Sequence, residues 1–230
     1  IYLSDGIWGF YSDRIQAIHA PAPEAIDLGL PSGLKWASFN LGATKPEEYG
    51  DYYAWGETEP HYSNQDPLIW KDGKEAGYAW ASYKWCMGSE DTLTKYCSSS
   101  EYGYDGFTDT KIVLDAEDDV ACKALGDKWR MPTDDEFTEL LNNCTSEWIS
   151  MNGINGRKMT GHNGNSIFLP AAGFRYGTVL NNAGSYGSYW SSSLYTDYPY
   201  GAWYVPFGSS YVRRDLNYRY FGFSIRPVSE

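Results

Sequence analysis

The feature that most limits the fold of this chain is its aromatic and glycine content. Tyr 21, Trp 10 and Phe 9 make up 17% of the 230 residues, and 24 glycines accompany them. A helical bundle depends instead on Leu, Ala, Glu and Lys, so this composition argues against one. Aromatic side chains favour strands and glycine favours turns. Together they predict short strands joined by many turns.

The charge balance narrows the class of partner. Lys and Arg number 18 against 30 Asp and Glu, which gives a formal net charge of −12. We expect no binding to nucleic acid or to an anionic membrane surface, because both repel an acidic protein. The mean hydropathy of −0.52 and the lack of an 18-residue apolar run predict no transmembrane segment in this chain.

The first 24 residues differ from the rest. They end in a Pro/Ala-rich spacer, Ala20–Glu24, which favours extended backbone. We interpret residues 1–24 as an N-terminal arm or the tail of a preceding domain. Residues 25–230 are interpreted as one domain, a length that suffices for a hydrophobic core.

Two helices are predicted between residues 115 and 144. Asp115 is expected to cap the first, which ends at Gly126. Thr133 and Glu136 predict a capping box at the start of the second. Strand-like segments on both sides of the helices predict an α+β fold. The strands expected toward the C-terminus are Ser166–Phe174, Ala202–Phe207, Tyr211–Arg213 and Gly222–Val228.

No motif in the sequence specifies catalysis. The three histidines have no second ligand at zinc-like spacing, and there is no phosphate-binding glycine loop, nucleophile elbow or Cys-x-x-Cys. We therefore expect no catalytic residues, no metal site and no cofactor. The cysteines permit three disulfide pairings or remain thiols, and the sequence does not choose among these. They are Cys86, Cys97, Cys122 and Cys144.

Residues 186–220, the tyrosine-rich segment, are the most informative part of the chain. Tyrosines alternate there with Ser, Asp, Asn, Gly and Arg, a composition typical of antibody paratopes. Residues 171–230 also contain five Arg and no Lys, and Arg is the cation preferred at interface hot spots. The alternative is that the tyrosines merely favour strands.

Residue type and pattern separate the predicted scaffold from the predicted contacts. Apolar residues in segments with a strand-like sequence pattern, such as Trp190, Val205 and Phe207, are assigned to the core. Composition does not distinguish a protein ligand from a glycan, because tyrosine and arginine contact both. The residues expected to form an exposed ligand-binding surface are Tyr195, Asp197, Tyr198, Tyr200, Tyr204, Tyr211, Arg213, Asp215, Asn217 and Tyr218.

Six motifs follow one another through the chain: Asp27–Ala37, Thr94–Cys97, Lys128–Thr133 with Glu136, Ile167–Gly173, Tyr189–Ser193 and Gly222–Val228. Together they resemble the major paralogous domain family first named from Fibrobacter, which is abundant in Bacteroides-type bacteria. The resemblance implies a C-type-lectin-like fold with two helices, short antiparallel strands and long loops, related to formylglycine-generating-enzyme-like domains. It also implies export, often as a lipoprotein, and hence a cell-surface or extracellular location with an outer-membrane anchor.

The resemblance favours a non-catalytic ligand-binding module. Formylglycine-generating relatives use cysteines near the C-terminal part of the domain, whereas no cysteine follows Cys144 here. Sugar-binding C-type lectins bind calcium through Glu-Pro-Asn or Gln-Pro-Asp with Trp-Asn-Asp. This chain has only Glu59–His61, so no functional calcium site is expected.

Two alternatives remain open besides a formylglycine-generating-type oxidase. The segment from Trp190 to Val228 is similar to the variable region of proteins encoded by diversity-generating retroelements. Non-diversified members of the major paralogous domain family have the same flanking motifs, so the resemblance does not decide whether this segment is diversified. The competing function is a structural adhesin or pilus-type subunit, in which residues 1–25 act as an assembly strand.

Overall fold

Short antiparallel strands, arranged in four small sheets, make up most of the regular structure. The structure is a computed structural model that describes residues 22–61 and 77–230. All but the last three residues of the predicted N-terminal arm, residues 1–24, lie outside these ranges. The role of that arm, including the assembly strand of the alternative function, therefore stays a prediction.

Twelve strands are present in the described residues. In chain order they are β1 Ala25–Asp27, β2 Lys35–Ala37, β3 Trp129–Arg130, β4 Thr145–Met151, β5 Ile154–Thr160, β6 Ser166–Pro170, β7 Phe174–Tyr176, β8 Val179–Asn181, β9 Gly187–Leu194, β10 Gly201–Phe207, β11 Asp215–Tyr218 and β12 Val228–Ser229. The sheets have the strand orders β1-β2-β12-β3, β4-β5-β6, β7-β8 and β11-β10-β9, and the strand pairs are antiparallel.

An Asn-Gly turn sets the longest hairpin. Asn152 and Gly153 both have positive φ, 50° and 85°, as a type I′ turn requires. The turn pairs Met151 with Ile154 and fixes the register of β4 on β5. Strand β4 was not among the predicted strands, although the Asn-Gly pair is a recognised hairpin signal in a sequence.

Two α-helices lie in the described residues, α1 over Val120–Leu125 and α2 over Asp134–Asn143. The predicted cap of α1 is wrong: Asp119, not Asp115, accepts hydrogen bonds from the first free backbone N–H groups. The difference follows from residues 116–118, which form a turn before the helix begins. The predicted end at Gly126 is confirmed, with a positive φ of 87°.

The predicted capping box of α2 is confirmed. The Thr133 hydroxyl accepts a hydrogen bond from the Glu136 backbone N–H, and the Glu136 carboxylate accepts one from the Thr133 N–H at 2.8 Å. Neither helix, nor any other helix of the described ranges, is long and apolar enough to cross a membrane. This agrees with the prediction of no transmembrane segment in this chain.

The predicted α+β, C-type-lectin-like fold is wrong. The described chain is mostly β, with several small antiparallel sheets and only two α-helices, of six and ten residues. Helical periodicity is confined to the region around α1 and α2, whereas turn residues reverse the chain repeatedly after Cys144 and favour hairpins. The predicted strand Tyr211–Arg213 is also wrong, since these residues lie in the loop before β11.

Tyrosine and tryptophan form much of the core. Trp36 packs on Phe137 of α2 with ring centroids 5.1 Å apart. Buried tyrosines satisfy their hydroxyl groups on backbone carbonyls: Tyr52 donates to Ala172 O at 2.6 Å and Tyr83 to Trp55 O at 2.7 Å. A buried tyrosine with a bonded hydroxyl contributes apolar area without an unsatisfied polar group.

The four cysteines form no disulfide with one another. Burial raises the pKa of the Cys97 and Cys144 thiols. A raised pKa lowers the thiolate fraction and therefore the reactivity of these two side chains.

One buried arginine joins three distant parts of the chain. The Arg226 guanidinium is 0% exposed and donates to Asn40 Oδ1 at 2.9 Å, Ala37 O at 2.9 Å and Phe168 O at 2.6 Å. Burial lowers the pKa of Arg226 to about 10. The three acceptors are amide and carbonyl oxygens, so their dipoles, and not a carboxylate, stabilise the charge of Arg226.

We expect Arg226→Met to lower the free energy of unfolding by more than about 2 kcal/mol, because buried oxygens lose their donors. Urea denaturation measures this change. Arg213→Met is the matched control: the Arg213 side chain is 60% exposed, so its loss should change stability by less than about 0.5 kcal/mol. Equal stability of the wild type and the Arg226→Met variant would show that the hydrogen bonds of Arg226 do not stabilise the fold.

Buried tyrosines should also set the alkaline limit of stability. Burial raises the pKa of Tyr189 to about 12 and raises those of Tyr52, Tyr78 and Tyr83. Above pH 10 the unfolded chain loses these phenolic protons first, so the stability they contribute falls as pH rises. Burial lowers the pKa of Arg226 and of Arg157, which acts in the opposite direction, but these are two groups against four tyrosines.

The expected outcome is a fall in the free energy of unfolding above pH 10, with tyrosinate absorbance of the buried tyrosines rising together with the loss of circular dichroism. Ionisation of all tyrosines in a chain that keeps its native dichroism would contradict this expectation.

Candidate binding surface

The sheet β9–β10–β11 and its two loops carry all the predicted contact residues. The first loop joins β9 to β10, and the second joins β10 to β11. Tyr195, Asp197, Tyr198 and Tyr200 lie on the first loop, Tyr211 and Arg213 on the second, Tyr204 on β10, and Asp215, Asn217 and Tyr218 on β11.

Four of the predicted tyrosines form a continuous row of rings. Tyr195 stacks on Tyr198 with ring centroids 5.9 Å apart, and Tyr198 stacks on Tyr200 at 5.6 Å. Tyr200 then lies 5.4 Å from Tyr218 of β11. Tyr198 and Tyr218 are 46% and 38% exposed, so the row reaches solvent.

The row continues through aromatic residues that the sequence analysis did not select. Tyr218 stacks on Tyr220 at 5.7 Å, and Tyr220 lies 6.2 Å from Tyr176 of β7. Trp80 contacts Tyr220 at 4.9 Å and Tyr218 at 6.0 Å, while Tyr102 contacts Tyr200 at 5.2 Å. We call these eight residues the aromatic band: Trp80, Tyr102, Tyr176, Tyr195, Tyr198, Tyr200, Tyr218 and Tyr220.

Tyr204 does not belong to the exposed surface, and its predicted exposure is wrong. The residue is 6% exposed, and its ring lies 4.8 Å from Phe223 and 5.8 Å from Trp190. β10 is the central strand of its sheet, and both of its faces are covered: Tyr204 belongs to one core cluster and Val205 to another. Composition did not reveal this, because tyrosine occurs in both environments.

Tyr211, Arg213 and Asp215 form a second exposed group. Arg213 donates a hydrogen bond to the Asp215 carboxylate at 3.0 Å and lies 5.2 Å from the Tyr211 ring centroid. Tyr211 lies 6.5 Å from Tyr186. Tyr186 in turn lines a pocket together with Tyr176 of the aromatic band, and this pocket lies between the group and the band.

Two pockets adjoin the band. The apolar pocket, of about 350 Å³, is lined mainly by Phe174, Tyr176, Tyr186, Phe221 and Phe223, and the predicted contact Asn217 also lines it. The acidic pocket, of about 730 Å³, has aromatic walls and three carboxylates: Trp80, Tyr102, Tyr200, Glu90, Asp91 and Glu101.

The arginines of the C-terminal region mostly make internal contacts. Arg219 and Arg226 are 0% exposed. Arg214 donates to the Asp134 carboxylate at 2.7 Å, and Arg213 pairs with Asp215. The arginines that suggested interface hot spots are therefore either buried and hydrogen-bonded within the protein or paired with aspartates. The acidic pocket itself is lined by carboxylates and carries negative charge.

Carboxylates of the acidic pocket help to raise the pKa values of tyrosines in the aromatic band. Desolvation and then the charge of Glu101 raise the pKa of Tyr102, and Glu90 contributes in the same direction. Desolvation also raises the pKa of Tyr200, and that of Tyr220 to about 12, again with a contribution from Glu90. These tyrosines are neutral at physiological pH, so they offer apolar ring faces and hydroxyl donors.

The most enzyme-like pair in the described residues is buried. His61 Nε2 lies 2.8 Å from Glu57 Oε2, and His61 Nδ1 lies 2.8 Å from Gly77 O. Both ring nitrogens thus contact protein oxygens, and the side chain is 2% exposed. The pair has no ring nitrogen available to exchange a proton with a substrate.

One carboxylate group could hold a metal ion by its geometry. Oxygens of Asp115, Glu117 and Asp118 lie within 4.8 Å of one another. Lys95 Nζ contacts all three, at 3.0 Å, 3.0 Å and 2.6 Å. Desolvation lowers the pKa of Lys95, but hydrogen bonds to these carboxylates outweigh it and raise the pKa. The lysine ammonium therefore supplies the positive charge that a cation would bring.

We expect millimolar calcium to leave the melting temperature of the wild type unchanged, because Lys95 Nζ already contacts all three carboxylates and takes the place of a cation. Lys95→Met should instead show a calcium-dependent rise, since a ligand that binds only the folded state stabilises it. Thermal melts with and without calcium, with magnesium as the control cation, measure both. A clear calcium-dependent rise in the wild type would contradict the expectation.

Comparison with known proteins identifies a family model that matches the C-terminal part of the chain. A family model described as a domain of unknown function (DUF8237) matches residues 146–228. The matched stretch begins in β4, ends at the first residue of β12 and contains the whole tyrosine-rich segment. No curated protein and no solved structure matches the chain.

Proposed function

We propose that this protein is a non-catalytic ligand-binding module whose contact surface is the aromatic band. The observation that carries the proposal is the convergence of eight aromatic side chains from distant parts of the chain into one row. Tyr176, Tyr198 and Tyr218 in this row are 53%, 46% and 38% exposed. Contiguous exposed aromatic surface is typical of interaction sites. Tyrosine also supplies large contact area at low conformational cost.

The support beneath the band suits a binding role. Arg219, which separates Tyr218 from Tyr220 in sequence, is fully buried and donates to Tyr96 O at 3.0 Å and Pro199 O at 2.9 Å. The band therefore rests on main-chain contacts that hold its segments together before any ligand arrives. Preorganisation of this kind reduces the entropy lost on binding.

The motif resemblance to the major paralogous domain family supports the same proposal, without the C-type-lectin-like fold. Members of that family are commonly exported. We therefore include a cell-surface location in the proposal, with the protein displayed toward its ligand.

The expected test is selection of ligands from a displayed-peptide library and a glycan array, followed by binding to variants. Tyr198→Ala and Tyr218→Ala should each weaken the selected ligands by about 2 kcal/mol, roughly 30-fold, because an exposed aromatic contact is lost. The free energy of unfolding should change little, because both side chains are partly exposed.

The matched control is Tyr104→Ala. Tyr104 is 45% exposed, close to the 46% of Tyr198, but it lies outside the aromatic band. Ligands that bind wild type, Tyr198→Ala and Tyr218→Ala with equal affinity would overturn the proposed surface.

A further inference from the structure

We propose that the ligand is a polypeptide that places a lysine or arginine side chain in the acidic pocket, against Trp80, Tyr102 and Tyr200. This inference rests on the proposed function and specifies the chemistry of the partner. It follows from the charge of the pocket, from its aromatic walls and from the way the chain uses its own cations.

The acidic pocket carries negative charge that no ion pair of the described residues neutralises. Glu90, Asp91 and Glu101 line it and are exposed. Within residues 22–61 and 77–230, none of these three carboxylates forms an ion pair. A cation entering the pocket would gain attraction from all three, and partial desolvation by the ring walls would strengthen that attraction.

The aromatic walls are suited to the same cation. Tryptophan and tyrosine ring faces attract ammonium and guanidinium groups within about 6 Å. Elsewhere the chain satisfies such rings itself: Lys84 Nζ lies 4.0 Å from the Trp85 ring centroid, and the Arg214 guanidinium lies 4.8 Å from that of Trp203. In the described part of the chain no lysine or arginine lies over Trp80, Tyr102 or Tyr200.

The distribution of positive charge points to a basic partner rather than an acidic one. Arg219 and Arg226 are buried, and Arg213 and Arg214 are paired with aspartates. With a formal net charge of −12, the protein attracts cationic partners over long range and accelerates their encounter.

A neutral glycan is less well matched to this pocket. Tyrosine and tryptophan faces would stack on a sugar ring, but a neutral sugar would leave three carboxylates in the pocket without a counter-charge. Partial desolvation of unpaired carboxylates opposes binding. A basic side chain provides ring contact and neutralisation together, so the observations favour a polypeptide.

The first experiment uses a short acetylated peptide with one arginine between Gly and Ser residues, and the same peptide with neutral citrulline in place of arginine. Nuclear magnetic resonance follows the Trp80 indole N–H, which is assigned with Trp80→Phe. We expect the arginine peptide to bind about tenfold or more tighter than the citrulline peptide, and its affinity to fall as salt rises.

The variants isolate the charge. Glu90→Gln combined with Glu101→Gln should reduce the difference between the two peptides severalfold, because Asp91 and the aromatic walls remain. Melting temperatures check that both exposed substitutions leave the fold intact. Glu147→Gln is the control, because Glu147 is an exposed carboxylate on β4, in a different sheet. This control should bind both peptides like the wild type.

The outcomes separate this inference from the proposed function. Equal binding of arginine and citrulline peptides, or an undiminished preference for arginine in the variant with Glu90→Gln and Glu101→Gln, would overturn the cation pocket. Selection of glycans that depend on Tyr198 and Tyr218 would also overturn it, while the proposed surface would stand. Selected ligands whose affinity does not change in Tyr198→Ala and Tyr218→Ala would overturn the proposed function itself.

Discussion

The buried guanidinium of Arg219 holds together the segments on which the candidate surface depends. It donates to Tyr83 Oη at 2.9 Å, Lys95 O at 3.0 Å, Tyr96 O at 3.0 Å and Pro199 O at 2.9 Å. Its charge also lies 5.0 Å from the Trp55 ring centroid. No carboxylate takes part in these contacts, so carbonyl dipoles and ring faces replace a counter-ion. Segments that are remote in sequence are thus brought to one point beneath Tyr218 and Tyr220.

Arg226 has the same role between β2 and β6. Together with the buried hydrophobic clusters, these two arginines connect remote parts of a chain that has four small sheets and no disulfide among its cysteines. Small sheets bury little area individually, and hydrogen bonds from one planar cation to several carbonyls connect them in fixed directions.

Local features could be predicted from the sequence, and features that depend on remote contacts could not. The Thr133–Glu136 capping box involves residues three apart, so residue types alone identified it. The row from Tyr195 to Tyr218 was selected because its members lie in one stretch of sequence. Trp80 and Tyr102 were missed because only the tertiary structure brings them to that row. The exposure of Tyr204 was wrong because burial depends on the central position of β10. The motif resemblance suggested a fold, but consecutive hairpins after Cys144 formed separate sheets instead.

The loop between β9 and β10 is held through its main chain. Tyr195 N–H donates to Gly201 O at 3.1 Å, Gly201 N–H donates to Tyr198 O at 2.9 Å, and Ser98 Oγ donates to Thr196 O at 2.8 Å. Together with the contact from Arg219 to Pro199 O, these bonds use backbone atoms of the loop and none of its side chains. These main-chain bonds do not depend on the side chains of residues 195–198, which add the ring contacts of Tyr195 and Tyr198. A loop held in this way can exchange exposed side chains, such as those of Thr196 and Asp197, while the main-chain bonds that hold it are retained.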